Sequence, residues 1–175
     1  MIINKPKVLS KDYTVISIND IKRNLKSGTD YVDDDDDKLH EDNIKSGVDR
    51  CEKLIKSPIV PQTLSITIYD FSEEEIVIDE SGFKNLQDII VDGVSGNTGL
   101  VDYVVERHTY FKVKLVSTIT CNTLELVYDA DQMHNHDYKR AIIVCTSDMY
   151  DTDSSSYGYQ TTDNKTVLRL LNIPV

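Results

Sequence analysis

Aspartate and histidine crowd together once in this chain, where Asp129, Asp131, His134, His136 and Asp137 fall in one short stretch. Carboxylate oxygens and imidazole nitrogens this close in sequence can converge on a divalent ion. The stretch lacks the fixed scaffold and spacing of a metal motif, and the same residues suit a strand-to-helix turn in which Asn135 or a neighbour caps the helix. Asp33, Asp34, Asp35, Asp36 and Asp37 form a second acidic group. Without a glycine hinge or a distal bidentate glutamate it is no EF-hand loop, and it reads as a solvated run that opens a helix. Nucleophilic catalysis has no better footing: there is no GxSxG elbow, and no cysteine carries a local signature. His40, beside Glu41, is expected on an exposed helix face, and His108 in a turn between strands. The loop VDGVSGNTG, with Gly93, Gly96 and Gly99, lacks the lysine and spacing of a phosphate-binding loop. The expectation is a protein with no catalytic, cofactor-binding or metal-binding residue, which is not an enzyme.

Composition narrows the classes further. At 175 residues, with 39% hydrophobic and 28% charged residues, the chain can fold as one domain and remove roughly 70% of its unfolded surface from water. The formal charge of −11 matters more. A phosphate-binding surface needs clustered Lys and Arg, and no such cluster is visible, so direct grip on DNA is disfavoured. An acidic wall can still let a polyanion slide past. The bland reading of the charge is solubility. Cys51, Cys121 and Cys145 are odd in number, widely spaced and set in apolar patterns, and so read as reduced core residues. No run approaches the roughly 20 apolar residues needed to cross a bilayer. The expectation is a protein without a membrane span, made in a cytoplasm.

The elements that must position these residues follow from periodicity. Residues 1–15 carry no strong period and read as an extended arm. A helix is predicted over 17–27: Ser17 can cap it, Asp20 occupies the capping-box position, Ile16 and Ile21 are spaced as a hydrophobic staple, and Gly28 stops it. A second helix is predicted over 37–56, with Ile44, Val48, Cys51 and Ile55 on one face, carboxylates at its start, and Pro58 and Pro61 beyond its end. From Thr63 the period becomes two, and short strands are predicted within 63–128, at 64–69, 76–78, 88–91, 100–105, 110–116 and 123–128. Short connections favour antiparallel pairing. A last helix over 137–151 places Tyr138, Ala141, Ile142, Cys145 and Met149 on one face. Residues 152–165 read as a mobile loop before a short apolar tail. The predicted fold is α+β, with N-terminal helices and a C-terminal helix packed together and a small antiparallel sheet inserted between them. The domain spans 16–151, and a loop and docking tail cover 152–175.

This order of elements resembles the head-tail connector (adaptor) proteins of tailed bacteriophages over most of the chain. The resemblance rests on KLIKSPIVPQTLSITIYDF (53–71), on VDYVVERHTYFKVKLV and TLELVYDAD in the strand region, on AIIVCTSDMYDTD with Tyr150 near its end, and on the paired Leu170 and Leu171 of the tail. Two features depart from the pattern: Asp151 and Asp153 stand without an accompanying arginine, and the N-terminal arm is longer. The resemblance implies a virion protein of the neck, between capsid and tail. It implies a homo-oligomeric ring of about twelve copies with head-to-tail interfaces, through which DNA passes without specific binding during packaging and ejection. Its implied partners are the portal protein and a downstream tail or neck protein. On this reading Leu170, Leu171, Ile173 and Val175 dock against the portal or a neighbouring subunit, the competing role being packing onto their own helices. The run 33–37 would face the lumen. The alternatives are another neck or tail-completion protein and, from a different class, a small metal-dependent enzyme using Asp131, His134 and His136.

Overall fold

The computed structural model describes residues 2–25, 37–107, 109–133, 135–149 and 165–173, without the side chains of Leu25 and Asp37. The fold is α+β. Contacts divide the chain into two compact units: one of strands, formed by residues 1–11 and 61–131, and one of helices, formed by 12–60 and 132–175. The two units therefore alternate along the sequence, with 61–131 of the strand unit between the two segments of the helical one.

The helical unit contains α1 (Ile18–Leu25), α2 (Asp37–Ile55), α3 (His136–Ser147) and α4 (Lys165–Leu170). α1 starts where its capping box closes: the Asp20 amide donates to Ser17 Oγ at 3.1 Å and the Ser17 amide donates to Asp20 Oδ2 at 3.2 Å. Ile16 and Ile21 are both buried, as a staple requires. α2 ends at Lys56, whose φ of 55° leaves the helical region, and the Ser57 amide turns back to the Glu52 carbonyl at 3.3 Å. The Glu52 carboxylate then accepts the amides of Ile59 at 2.7 Å and Val60 at 3.2 Å. α3, predicted over 137–151, begins one residue earlier and ends at Ser147. Ile21, Ile44, Val48, Cys51, Ala141, Ile142, Cys145, Val167 and Leu171 form one buried cluster. α2 and α3 approach closely at Gly47, where a Cβ would stand 2.2 Å from Thr146 Oγ1.

The strand unit is a six-stranded antiparallel sheet of β1 (Ile2–Ile3), β2 (Lys7–Lys11), β3 (Gln62–Ile78), β4 (Phe83–Val91), β5 (Val101–Glu106) and β6 (Phe111–Ala130). β3 and β6 run the length of the sheet as a ribbon. β1 and β2 pair with the first part of β3, β4 with the last part of β6, and β5 with the first part of β6. Two corrections follow. The stretches predicted as separate strands at 64–69 and 76–78 are one strand, and so are those at 110–116 and 123–128. The polar residues between them resemble turns. Instead Asp70, at φ 52°, bends β3 without ending it. Opposite Glu74, β6 carries extra residues, because Glu73 pairs with Ile119 and Glu75 with Lys114. The residues read as an extended arm are extended, but β1 and β2 are held on β3 by main-chain pairing. One face of the ribbon is apolar and folds onto itself, so that Phe111 from the start of β6 and Tyr128 from near its end meet Phe83 of β4, with the two phenylalanine rings 4.6 Å apart.

Candidate functional site

The aspartates of the metal-like stretch have structural partners. Asp129, on β6, accepts hydrogen bonds from Thr63 at 2.9 Å and from Gln87 on β4, binding three strands together. Asp131 pairs with Lys84 at 3.7 Å, and its amide donates to the Gly82 carbonyl. His136 and Asp137 are exposed in the first turn of α3, where the Asp137 amide donates to the Asn135 side chain at 3.0 Å. Asn135 is thus the helix cap. His134 lies outside the described residues. Among the described residues no group of three or more His, Cys, Asp or Glu is placed to hold a metal ion.

His40 corrects an expectation. It is 3% exposed, not on a solvated face. The reason is periodic: His40 stands one helical turn before Ile44, on the stripe that continues through Val48 and Cys51. Asp33 to Asp36 and His108 lie outside the described residues, and Asp37 is the first residue of α2.

The cysteines are placed for packing. All three are buried free thiols. A hydrogen bond with Cys145, and then burial, push the Cys51 thiol far above its usual range. Burial, and then the charge of Asp92, push Cys121 up. The thiolate is the nucleophile, so groups shifted this way are inert. Burial, followed by a hydrogen bond to Glu80, likewise raises the Tyr128 phenol and keeps it neutral. Gly93 and Gly96 adopt positive φ, and the Gly96 amide donates to Asp88 of β4 at 2.9 Å, so that loop is a turn closed on a carboxylate of the preceding strand.

The C-terminal tail forms α4 and a turn. Val167 and Leu171 are buried in the helical cluster, while Leu170 and Ile173 pack against it with part of their surface in solvent. The Ile173 amide donates to the Leu168 carbonyl at 2.9 Å, which fixes the turn. Leu171 is thus packed on its own helices. Val175 lies outside the described residues.

The features that sequence reasoning missed are surfaces. One is the projecting segment of β6 at Val116, which is 67% exposed. It is held by Glu74, which accepts from Lys114 at 2.8 Å and from Thr118 at 3.1 Å. These bonds hold the Glu74 carboxyl below its ordinary range and Lys114 above its own. The other is the edge formed by β1 and β2. Among the described residues no helix is long and apolar enough to cross a membrane.

No family model and no curated protein sequence matches the chain. Solved structures do match. A chain from the neck of an empty gene transfer agent (GTA) particle computed with C6 symmetry aligns over 100% of this chain and 97% of its own length, with 12% identity and a TM-score of 0.71. A chain from the virion of a native GTA particle aligns over 98% and 94%, with 10% identity and a TM-score of 0.72. A third, from the neck of a native GTA particle computed with C12 symmetry, aligns over 98% and 93%, with 9% identity and a TM-score of 0.65. The likeness is one of fold, over the whole chain.

Proposed function

We propose that the protein is a structural component of the neck of a phage-like particle, one copy in a cyclic ring between the portal and the tail. The end-to-end likeness to a chain of a particle neck carries this reading. The C6 and C12 symmetries of the matched necks support a ring. A net charge of −11 supports a conduit, because a wall without clustered cations makes few counterion-releasing contacts with phosphate and does not brake DNA. The acidic run at 33–37 lines that conduit.

Docking on the portal or a neighbouring copy is assigned to the partly exposed Leu170 and Ile173 and to Val175, which lies outside the described residues, while Leu171 anchors the segment in its own unit. The chain works through shape and association and turns over no substrate. The test is electron microscopy of intact particles, together with mass measurement of the purified protein alone and mixed with its portal. Density for the protein in the neck and a ring in the mixture are expected. Its absence from the neck would overturn the proposal.

A further inference from the structure

Two groups of exposed large apolar side chains in the strand unit carry opposite charge. The first lies on the edge made by β1 and β2: Ile2 is 62% exposed, Val8 49% and Leu9 50%, with Tyr69 across the ladder from Ile2. Exposed Lys5 and Lys7 stand among them, and the chain carries no carboxylate before Asp12. Exposed Asp70 follows Tyr69 on β3. The second group lies at the other end of the ribbon, around β5. Tyr103 is 46% exposed there, beside exposed Asp102 and Glu106, with exposed Val77 and Asp79 at the end of β3. The lysines of this end are already paired, Lys112 with Glu75 and Lys114 with Glu74. Arg107 follows β5 in the turn to β6.

Both edges are open. Among the described residues β2 pairs only with β3, and β5 only with β6, each on the outer side of the ribbon. An edge strand bearing like charges rejects a copy of itself. A lysine edge meeting a carboxylate edge escapes that penalty, and the exposed apolar side chains on both supply area to bury. The two surfaces are different strands on opposite sides of the ribbon, β2 beside β3 and β5 beside β6. Such a contact is head-to-tail, the kind that propagates from copy to copy.

We propose that the β1–β2 edge of one copy docks on the β5 edge of a second copy of this chain, with Lys5 and Lys7 facing Asp102 and Glu106. The inference leans on the neck reading only for closure of the ring, and the pairwise contact stands without it. The experiment is sedimentation of the full chain against two exposed-surface double variants, Lys5→Glu with Lys7→Glu, and Asp102→Lys with Glu106→Lys. The wild type is expected to self-associate by about 1 mM. Each variant alone should associate at least about 10-fold more weakly, and their equimolar mixture should recover the contact. Variants that associate as the wild type does, a mixture that recovers nothing, or a wild type that stays monomeric at about 1 mM would each overturn the proposal. Amide hydrogen exchange of the wild type, dilute against concentrated, gives a readout that needs no variant: protection should rise at 2–11 and 101–106, and a rise confined to other segments overturns it. Failure here leaves the neck location to be decided by microscopy. A recovered charge-swap contact in a protein absent from particle necks would sink the neck reading alone.

Discussion

Asp20 closes the capping box of α1 and also takes an ion pair from Lys139 on α3 at 3.1 Å, so one carboxylate ties a helix start to its neighbour. Burial opposes its ionisation, but hydrogen bonds from Ser17 and Lys139 outweigh that and hold the carboxyl below its ordinary range. A depressed carboxyl contributes stability above its unfolded pKa and loses it as pH falls through the folded one. Asp20→Asn is therefore expected to cost about 1 kcal/mol at neutral pH, and the gap to the wild type should close below about pH 4. Thermal unfolding at pH 7 and in acid checks both. Gly47 gives a second case. Alanine there gains up to about 1 kcal/mol of helix propensity but drives a Cβ onto the stiff Thr146 side chain, an overpacking worth about 1–3 kcal/mol. Gly47→Ala should be destabilising in the wild type and close to neutral beside Thr146→Ala, as a double-mutant cycle in urea would measure. The first of these sites was legible, because every part of a capping box is local. The second was not, since nothing near Gly47 in sequence announces Thr146. His40 was misread for a different reason: adjacency to Glu41 was given more weight than its spacing of four from Ile44.

Among the elements, α2 ends on a non-glycine residue in the left-handed region, so Lys56→Gly is expected to stabilise by about 0.5–1 kcal/mol, read as a higher urea midpoint with unchanged slope. The helices were legible from apolar stripes and stop signals. The strands were legible in direction and face but not in length, because the polar run around Glu73, Glu74 and Glu75 carries the marks of a turn. Cross-strand partners far away in sequence, among them Lys112 and Lys114, keep it in the sheet. Phe83 escaped notice because it stands outside any alternating run, yet it joins the aromatic centre of the sheet. The tail was read by its apolar residues, and burial divides them. Removing residues 165–175 would empty the places of Val167 and Leu171, at about 2–5 kcal/mol for a large buried side chain. Loss of portal binding after that truncation would report a damaged fold. Leu170→Ser with Ile173→Ser keeps the buried pair and should weaken portal binding with only a small change in melting temperature, which pull-down and thermal unfolding together resolve.

For the molecule as a whole, chemistry that looked available in the one-dimensional order was dispersed by folding: Asp129 and Asp131 went to the strand unit, His136 and Asp137 to the start of α3. Composition had already pointed away from phosphate binding, whereas the opposed charges of the two strand edges emerge only from pairing. The interleaving of the two units along the sequence has a consequence for synthesis on the ribosome. The strand unit has all its parts once residue 131 has emerged, but the helical cluster needs Val167 and Leu171. Until α3 and that tail follow, the nascent chain carries part of the apolar stripe of α2 uncovered. Translation stalled after residue 131 has cleared the exit tunnel should leave α2 open to protease while 61–131 resists it, making the unfinished helical half the stretch a chaperone would be called on to shield.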